Sequence, residues 1–192
     1  MSRSDLDIDD PKRKPRRVSF PAVLAIAVGI AALVYTFVLK DAGTRTVVGY
    51  YIWKATNANA GAGQRLSVRG IQLYYEDHGP RNVSQADPIL VLHGGTAFIE
   101  TMGGLIAPLA MNHRVIAVDT RGHGRSQKFE RPEDLTYARK AEDLLLWLDD
   151  LGIARAIWGG ASMGAALSLW VAVPAPDRAR AVVSISGPPY AP

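Results

Sequence analysis

The sequence contains no cysteine among its 192 residues. Disulfide bonds, a thiolate nucleophile and cysteine-ligated zinc or iron–sulfur sites are therefore excluded. Only four histidines occur, and their scattered positions do not form a ligand pattern for a metal ion. No G-x-G-x-x-G segment opens a helix after a predicted strand, which argues against a dinucleotide cofactor. We therefore expect a protein without a metal ion or a cofactor.

Positive charge is concentrated in one short segment. The net charge is +4, and residues 12–17 (Lys-Arg-Lys-Pro-Arg-Arg) supply five positive charges. The rest of the chain is close to neutral, so we expect no nucleic-acid partner. Apolar residues make up 48% and charged residues 21% of the chain, which is typical of folded globular proteins and excludes wholesale disorder.

Residues 18–39 form a long run without any charged side chain. A helix of that length reaches about 33 Å, enough to cross the roughly 30 Å hydrocarbon core of a bilayer. We therefore predict a cytoplasmic basic tail at 1–17, a transmembrane helix at 18–39 that contacts the lipid bilayer, and an extracytoplasmic remainder. The alternative is export followed by cleavage of a signal peptide, whose apolar region is usually shorter, about 7–15 residues.

The remaining chain divides into a small-residue linker at 40–64 and a folded domain at 65–192. Within that domain, hydrophobic patterns predict strands and helices in alternation. The predicted strands are 66–68, 71–75, 88–92, 114–118, 154–159 and 181–186, and the predicted helices are 103–110, 134–151 and 163–171. This alternation indicates the α/β class, with a mostly parallel sheet flanked by helices.

A G-x-S-x-G motif, Gly160-Ala161-Ser162-Met163-Gly164, lies between a predicted strand and a predicted helix. In that context, a sharp turn lifts the serine hydroxyl above the sheet edge, in a strained backbone conformation. The free N–H groups at the start of the following helix would face any negative charge formed there. The motif alone occurs often by chance, so a simple glycine-rich turn is an equal alternative at this point.

Two further motifs follow buried strands. His93-Gly94-Gly95-Thr96 can turn backbone N–H groups toward a ligand, as an oxyanion site requires. The second motif is the segment Asp119-Thr120-Arg121-Gly122-His123-Gly124-Arg125-Ser126. With G-x-S-x-G, in this order and spacing, the set resembles the N-terminal half of the α/β-hydrolase family, in its serine-nucleophile branch. The resemblance covers roughly residues 64–189.

The resemblance implies a role for each matching residue. Ser162 corresponds to the catalytic nucleophile, and the backbone N–H groups of Gly95 and Met163 correspond to the two oxyanion donors. His93, Gly94, Asp119, Arg121 and His123 correspond to residues that support the loops around the site. A serine nucleophile, rather than an aspartate, points away from epoxide hydrolases and haloalkane dehalogenases and toward acyl transfer. The implied substrate is a small molecule with an ester, thioester or amide bond.

The acid and the histidine of the family's triad follow the nucleophile in chain order. Here the residues after Ser162 contain one acid, Asp177, and no histidine. We therefore expect an incomplete chain that lacks a C-terminal half and is nearly inactive alone, because a serine hydroxyl without a base is a poor nucleophile. The alternative is a non-catalytic, membrane-tethered binding module on a hydrolase scaffold. A cofactor-free peroxidase-like activity is a weaker third reading.

Overall fold

The computed structural model describes residues 20–37, 40–80 and 87–187, and it divides the chain into two compact units, 1–41 and 42–192. In the first unit, helix α1 (Phe20–Phe37) is the described element. Among the described residues, none of the helices combines the length and the hydropathy that a membrane crossing needs. The predicted transmembrane helix, whose residues 18, 19, 38 and 39 lie outside the described ranges, is therefore not confirmed. The predicted basic tail at 1–17 also lies outside them.

The second unit contains all strands of the described chain. In chain order its elements are α2 (Ala42–Thr56), β1 (Gly63–Val68), β2 (Ile71–His78), β3 (Ile89–Leu92), α3 (Gly103–Leu109), β4 (Val115–Asp119), α4 (Tyr137–Asp150), β5 (Ala156–Ala161), α5 (Met163–Ala172) and β6 (Ala179–Ile185). Short 3-10 turns lie at Ile99–Met102, Pro132–Leu135 and Pro176–Arg178. Every strand and helix predicted in the region from residue 66 to residue 186 is present, with ends shifted by a few residues.

The strands form one mixed sheet in the order β1-β2-β4-β3-β5-β6. β1 and β2 form an antiparallel hairpin through the turn at Arg69-Gly70, and β2 pairs antiparallel with β4. β4, β3, β5 and β6 are mutually parallel, as the alternation of strands and helices predicts. The carboxyl ends of these four strands therefore lie along one edge, where side chains from distant parts of the sequence meet.

Each face of the sheet contributes a separate hydrophobic cluster. Because successive side chains of a strand point to opposite faces, Leu90 and Leu92 pack on one side of β3 and Val91 packs on the other. The first face is covered by α4 and α5, whose Trp147 and Leu167 are fully buried. The second face carries the cluster to which α2 and α3 contribute. The prediction of a sheet flanked by helices is confirmed.

Helix α2 occupies a segment that the sequence analysis assigned to the linker at 40–64. Its glycines and its β-branched residues have low helix propensity, and for that reason its composition resembles a linker. The helix is stabilised by tertiary packing of Tyr50, which is 1% exposed and lies against Gly103 at the start of α3. A β-carbon at Gly103 would lie 2.6 Å from the Tyr50 β-carbon, so only glycine permits this contact.

Candidate active site

Ser162 lies in the turn between β5 and α5, as the G-x-S-x-G motif predicts. Its backbone has φ +51° and ψ −112°, a conformation that non-glycine residues rarely adopt. Its N–H donates to the Ile185 carbonyl oxygen at 2.9 Å, and its carbonyl oxygen accepts from the Ala166 N–H at 3.1 Å. The side chain is exposed to solvent and does not cap α5. The backbone of Ser162 is therefore fixed by hydrogen bonds to Ile185 and Ala166, and its side chain remains accessible to solvent.

The two glycines of the motif permit this turn through close packing. A β-carbon at Gly164 would lie 2.4 Å from the carbonyl oxygen of Leu92 at the end of β3. A β-carbon at Gly160 would lie 2.4 Å from the carbonyl carbon of Gly164. Real β-carbons do not approach other atoms so closely, so α5 can begin directly against β5 and β3 only when both positions are glycine.

The His-Gly-Gly loop after β3 lies beside this turn. A β-carbon at Gly94 would be 3.8 Å from the Ser162 β-carbon, and one at Gly95 would be 3.8 Å from the Met163 β-carbon. Within the described residues, the backbone N–H groups of Gly95 and Met163 donate no hydrogen bond to another backbone group. The N–H of Met163 is the first of α5, so the positive end of the helix dipole adds to it. The structure thus places the predicted nucleophile, Ser162, beside the two residues predicted to donate to an oxyanion, Gly95 and Met163.

His93 is buried beneath this loop with 1% exposure. Its Nε2 accepts the Thr120 N–H at 3.1 Å, so the proton resides on Nδ1, which lies 2.7 Å from the Gly94 carbonyl oxygen. Burial lowers the pKa of this imidazole, although the Gly94 carbonyl opposes the shift. A neutral imidazole with both nitrogens occupied orders the loop and cannot take a proton from Ser162.

His123 contacts the same loop from the Asp119–Ser126 segment. Its Nε2 lies 2.6 Å from the Gly95 carbonyl oxygen, to which it donates. Its Nδ1 lies 3.2 Å from the Thr120 hydroxyl and 3.1 Å from the Arg121 carbonyl oxygen. Both nitrogens are therefore engaged in backbone support. This placement agrees with the loop-supporting role that the resemblance implies.

Asp119 and Arg121 stabilise the Asp119–Ser126 segment through buried hydrogen bonds. The fully buried Asp119 carboxylate accepts the N–H of Ile99 through Oδ1 and the N–H of Arg125 through Oδ2, each at 2.9 Å. The Arg121 guanidinium forms a two-pronged pair with Asp143, at 2.6 and 2.8 Å, and a third hydrogen bond to Asp134 at 2.9 Å. The two partners of Arg121 were not identified from the sequence, since they lie farther along the chain and only the fold brings them together.

None of the histidines in the described ranges is hydrogen-bonded to the Ser162 hydroxyl. His78 is buried on β2, where Nδ1 accepts the Gly61 N–H and Nε2 faces Tyr50 and Glu76. His113 is exposed in the turn before β4. Asp177, the one acid that follows Ser162 in the sequence, lies in the 3-10 turn after α5. The described residues also contain no group of three acidic or histidine side chains able to hold a metal ion.

A buried network of charges next to the site was missed by sequence reasoning. It joins three carboxylates to two cations and three tyrosine hydroxyls, and we call it the carboxylate cluster. Its carboxylates are Glu76, Glu100 and Asp119, its cations are Lys54 and Arg125, and its tyrosines are Tyr50, Tyr51 and Tyr74. Its members come from α2, β2, the 3-10 turn at 99–102, the end of β4 and the loop after β4, so no local pattern reveals it.

Glu76 is the most perturbed acid of the cluster. Burial by itself raises its pKa, but hydrogen bonds from His78, Lys54, Tyr50 and Tyr74 outweigh this effect and hold the pKa at about 2. Burial and the nearby carboxylate raise the pKa of the Tyr50 hydroxyl well above its ordinary value. Glu76 is therefore ionised at neutral pH, and Tyr50 remains a hydrogen-bond donor to it.

Comparison with known proteins identifies a family. A family model described as alpha/beta hydrolase fold matches residues 87–192. Among curated proteins, a haloalkane dehalogenase from Mycolicibacterium paratuberculosis is 31% identical over 121 residues, which cover 62% of this chain and 39% of the relative. The chain thus spans well under half the length of that curated relative.

Solved structures with the same fold cover more of the chain. E-2-(acetamidomethylene)succinate hydrolase is 31% identical, with a TM-score of 0.60, over 68% of this chain and 46% of that protein. A membrane phospholipase A is 20% identical, with a TM-score of 0.62, over 88% of this chain and 52% of that protein. At 20% identity the second similarity shows the fold alone.

Proposed function

This chain belongs to the α/β-hydrolase fold family, and from that premise we propose that it is a serine hydrolase that cleaves an ester, thioester or amide bond of a small acyl substrate. The observation that carries the proposal is the position of Ser162. Its exposed hydroxyl lies in a strained turn beside the backbone N–H groups of Gly95 and Met163. Such donors stabilise an oxyanion when they are held in place before the reaction.

In the proposed reaction, the Ser162 oxygen forms a bond to the carbonyl carbon while its proton passes to a base. The carbonyl electron pair moves to the oxygen, which accepts hydrogen bonds from Gly95 and Met163. When this intermediate collapses, the leaving group departs with a proton and an acyl-enzyme remains. Water then attacks the acyl-enzyme, releases the acid and returns the proton to Ser162.

The base in this scheme is not one of the described histidines. His78 and His93 are buried, with their nitrogens engaged, and both nitrogens of His123 contact backbone or hydroxyl groups. We propose that the acid and the imidazole of the triad come from outside the described residues. The 192-residue chain alone is then expected to react slowly.

The experiment is labelling of Ser162 by a fluorophosphonate, measured by intact mass and peptide mapping. Free imidazole is added in one arm, since it can replace a missing base. We expect slow labelling of the chain alone, faster labelling with imidazole, and modification at Ser162. Ser162→Ala is the matched control and should not be labelled in either arm. The absence of labelling in both arms would overturn the proposal.

A haloalkane dehalogenase or an epoxide hydrolase is a second candidate, because proteins so named are among the similar ones. Against it stands Ser162, since those branches carry an aspartate at the nucleophile position. A halide-release assay with small haloalkanes and a diol assay with small epoxides distinguish the two. Product formation that survives Ser162→Ala would favour this candidate over acyl transfer.

A binding module without catalysis is favoured by one observation, the lack of a described imidazole at Ser162. It predicts saturable binding of a carbonyl compound with no covalent adduct and no product. Calorimetric titration together with mass spectrometry of the same sample separates this alternative from slow catalysis.

Membrane attachment is a separate part of the proposal and rests on the sequence alone. The uncharged run at 18–39 follows five cations at 12–17, which favours an anchor with a cytoplasmic N-terminus. Carbonate extraction of the full chain from membranes, compared with a chain that begins at Ala42, tests it. Release of both forms by carbonate would overturn the anchor, and protease protection of epitope tags at each end reports the orientation.

A further inference from the structure

The carboxylate cluster links helix α2 to the loop that carries the proposed oxyanion donor. Glu76, Glu100 and Asp119 are almost completely buried, with exposures of 0%, 3% and 0%. Three buried negative charges in one region require compensation, because an unpaired buried charge is strongly destabilising. Arg125 and Lys54 supply positive charge to them, and His78 Nε2 lies 3.3 Å from Glu76 Oε2.

Arg125 connects two of these carboxylates. Its Nη1 and Nη2 lie 2.9 and 3.1 Å from the two Glu100 carboxylate oxygens, and its Nε lies 3.2 Å from Asp119 Oδ2. The guanidinium also lies over the Tyr74 ring at 3.8 Å. Arg125 therefore joins the 3-10 turn at 99–102 to the end of β4.

These two points flank the oxyanion loop, which we define as residues 93–98. At one end, His93 accepts the Thr120 N–H, directly after Asp119. At the other end, the Ile99 N–H donates to Asp119. Between them, His123 holds the Gly95 carbonyl oxygen. The Gly95 N–H belongs to the Gly94–Gly95 peptide, whose carbonyl oxygen lies 2.7 Å from His93 Nδ1. Its orientation thus depends on His93 and on the segment that Arg125 organises.

Helix α2 supplies the rest of the charge balance. Lys54 donates to Glu76 Oε1 at 2.7 Å, and Tyr51 donates to Glu100 Oε1 at 2.7 Å. Arg125 lies 3.4 Å from the same Glu76 oxygen, farther than from Glu100. Without Lys54, the charge of Glu76 would no longer be offset by the Lys54 ammonium. The net electrostatic attraction of Arg125 toward Glu76 would then increase and would draw Arg125 away from Glu100 and Asp119.

We propose that Lys54 and Arg125 are positioning residues, through which helix α2 sets the orientation of the oxyanion loop. The family model begins at residue 87, so α2 lies outside the region that it matches. The functional half of the proposal, that this orientation affects the reaction of Ser162, rests on the serine hydrolase activity proposed above. The structural half, that helix α2 sets the orientation of the oxyanion loop, does not depend on that activity.

The test compares Lys54→Met, Lys54→Arg and wild type in the full 192-residue chain. Arg45→Met is the matched control, because Arg45 is an exposed cation of the same helix. Amide hydrogen exchange is measured at 93–99 and 120–126, with α4 as an internal reference. Fluorophosphonate labelling with free imidazole gives the maximal rate and the half-saturating concentration separately.

For Lys54→Met we expect faster exchange in both segments, unchanged exchange in α4 and a maximal labelling rate reduced by about tenfold or more, since small misplacements of catalytic groups have large effects. The half-saturating concentration should change little. Lys54→Arg should restore most of the rate, and Arg45→Met should match wild type. Tyr51→Phe removes one hydrogen bond to Glu100 from an exposed ring and should give a smaller effect in the same direction, which provides a second test if Lys54→Met does not fold.

Unchanged exchange at 93–99 in Lys54→Met and in Tyr51→Phe would overturn the inference. An equal loss of the maximal labelling rate in Lys54→Met and in Arg45→Met would also overturn the inference, because the effect would then reflect the charge of the helix alone. If wild type is not labelled, the serine hydrolase proposal fails, and the exchange data still decide whether α2 controls the loop. If exchange responds while the labelling rate does not, the loop is coupled to α2 but its orientation does not limit the reaction, and the functional half is wrong.

Discussion

His123 and Gly95 are 28 positions apart, and the His123 Nε2 lies 2.6 Å from the Gly95 carbonyl oxygen. The contact joins two of the three sequence motifs directly. The contact fixes the Gly95 carbonyl and so restrains the Gly95–Thr96 peptide. The proposed oxyanion donor, the Gly95 N–H, belongs to the adjoining Gly94–Gly95 peptide and is restrained through the α-carbon that the two peptides share.

This contact predicts different results for two substitutions of His123. His123→Ala removes the donor to Gly95 and should lower the rate of Ser162 labelling by about tenfold. This is less than the roughly 10²–10³-fold cost of losing an oxyanion donor outright, because the Gly95 N–H is still present. His123→Gln keeps an N–H donor of similar reach and should retain most of the rate. Labelling kinetics with free imidazole measure both. If His123 were the general base instead, the glutamine variant would be as slow as the alanine variant.

The two glycines of the G-x-S-x-G motif predict a steric cost. Gly160→Ala or Gly164→Ala places a β-carbon 2.4 Å from backbone atoms and should lower the free energy of unfolding by about 2 kcal/mol or more. Gly104→Ala is the control, since nothing lies within 4 Å of its β-carbon position in helix α3. That variant should be neutral or more stable by about 0.5–1 kcal/mol. Urea unfolding followed by circular dichroism measures all three.

The backbone of Ser162 predicts a conflict between stability and function. A non-glycine residue in such a conformation costs about 1–3 kcal/mol. Ser162→Gly should therefore raise the free energy of unfolding by roughly 1 kcal/mol while it abolishes labelling. Ser162→Ala retains the β-carbon and should not show this gain. Equal stability of the two variants in urea would show that the turn stores no strain at this residue.

Arg121 predicts a large loss when its charge is removed. Arg121→Met leaves Asp134 and Asp143 buried without their partner, which should cost about 3–5 kcal/mol of unfolding free energy. Arg121→Lys should recover part of the charge but not the two-pronged geometry. The control is Arg139→Met, whose pair with Glu142 is exposed and should contribute less than about 1 kcal/mol. Thermal and urea unfolding of the three variants test the contrast.

The lowered pKa of Glu76 predicts a defined loss of stability in acid. The pKa of Glu76 is about 2 in the folded chain and 4.5 in an ordinary, unfolded environment. Its ionised carboxylate therefore makes its full contribution to the free energy of unfolding above about pH 5. That contribution, of the order of 3 kcal/mol, is lost as the pH falls from about 4.5 to 2. Glu76→Gln should be less stable than wild type at pH 7, and the difference should narrow through this window. Exposed Glu142→Gln is the control, and a gap that is independent of pH would contradict the prediction.

Several features were accessible from local sequence patterns. Continuous apolar runs identified β3 and β4. The helix α4 was identified by the helical spacing of Ala138, Ala141, Leu145 and Leu148, joined by Leu144 and Leu151. Motif order indicated the family, which the matched region 87–192 confirms. These patterns suffice because each reports a short-range regularity, namely the two-residue period of a strand or the 3.6-residue period of a helix.

Helix α2 was missed because its propensity is poor and its stability comes from Tyr50 packing on Gly103. The carboxylate cluster was missed for a related reason. The sequence pattern predicts that a charged residue such as Glu76 is exposed to solvent. Its burial is tolerable only because of its partners, which come from α2, β2 and the loop after β4.

Residue order along the chain therefore determined the periodicities, the glycine positions of the turn at Ser162 and the family to which they belong. The tertiary structure alone decided that His123 supports Gly95, that Arg121 is enclosed by two aspartates and that Lys54 neutralises Glu76. The physical reason is the separation in sequence over which each property is determined. Backbone conformation follows from neighbouring residues, whereas the free energy of a buried charge depends on groups that the chain brings together only when it folds.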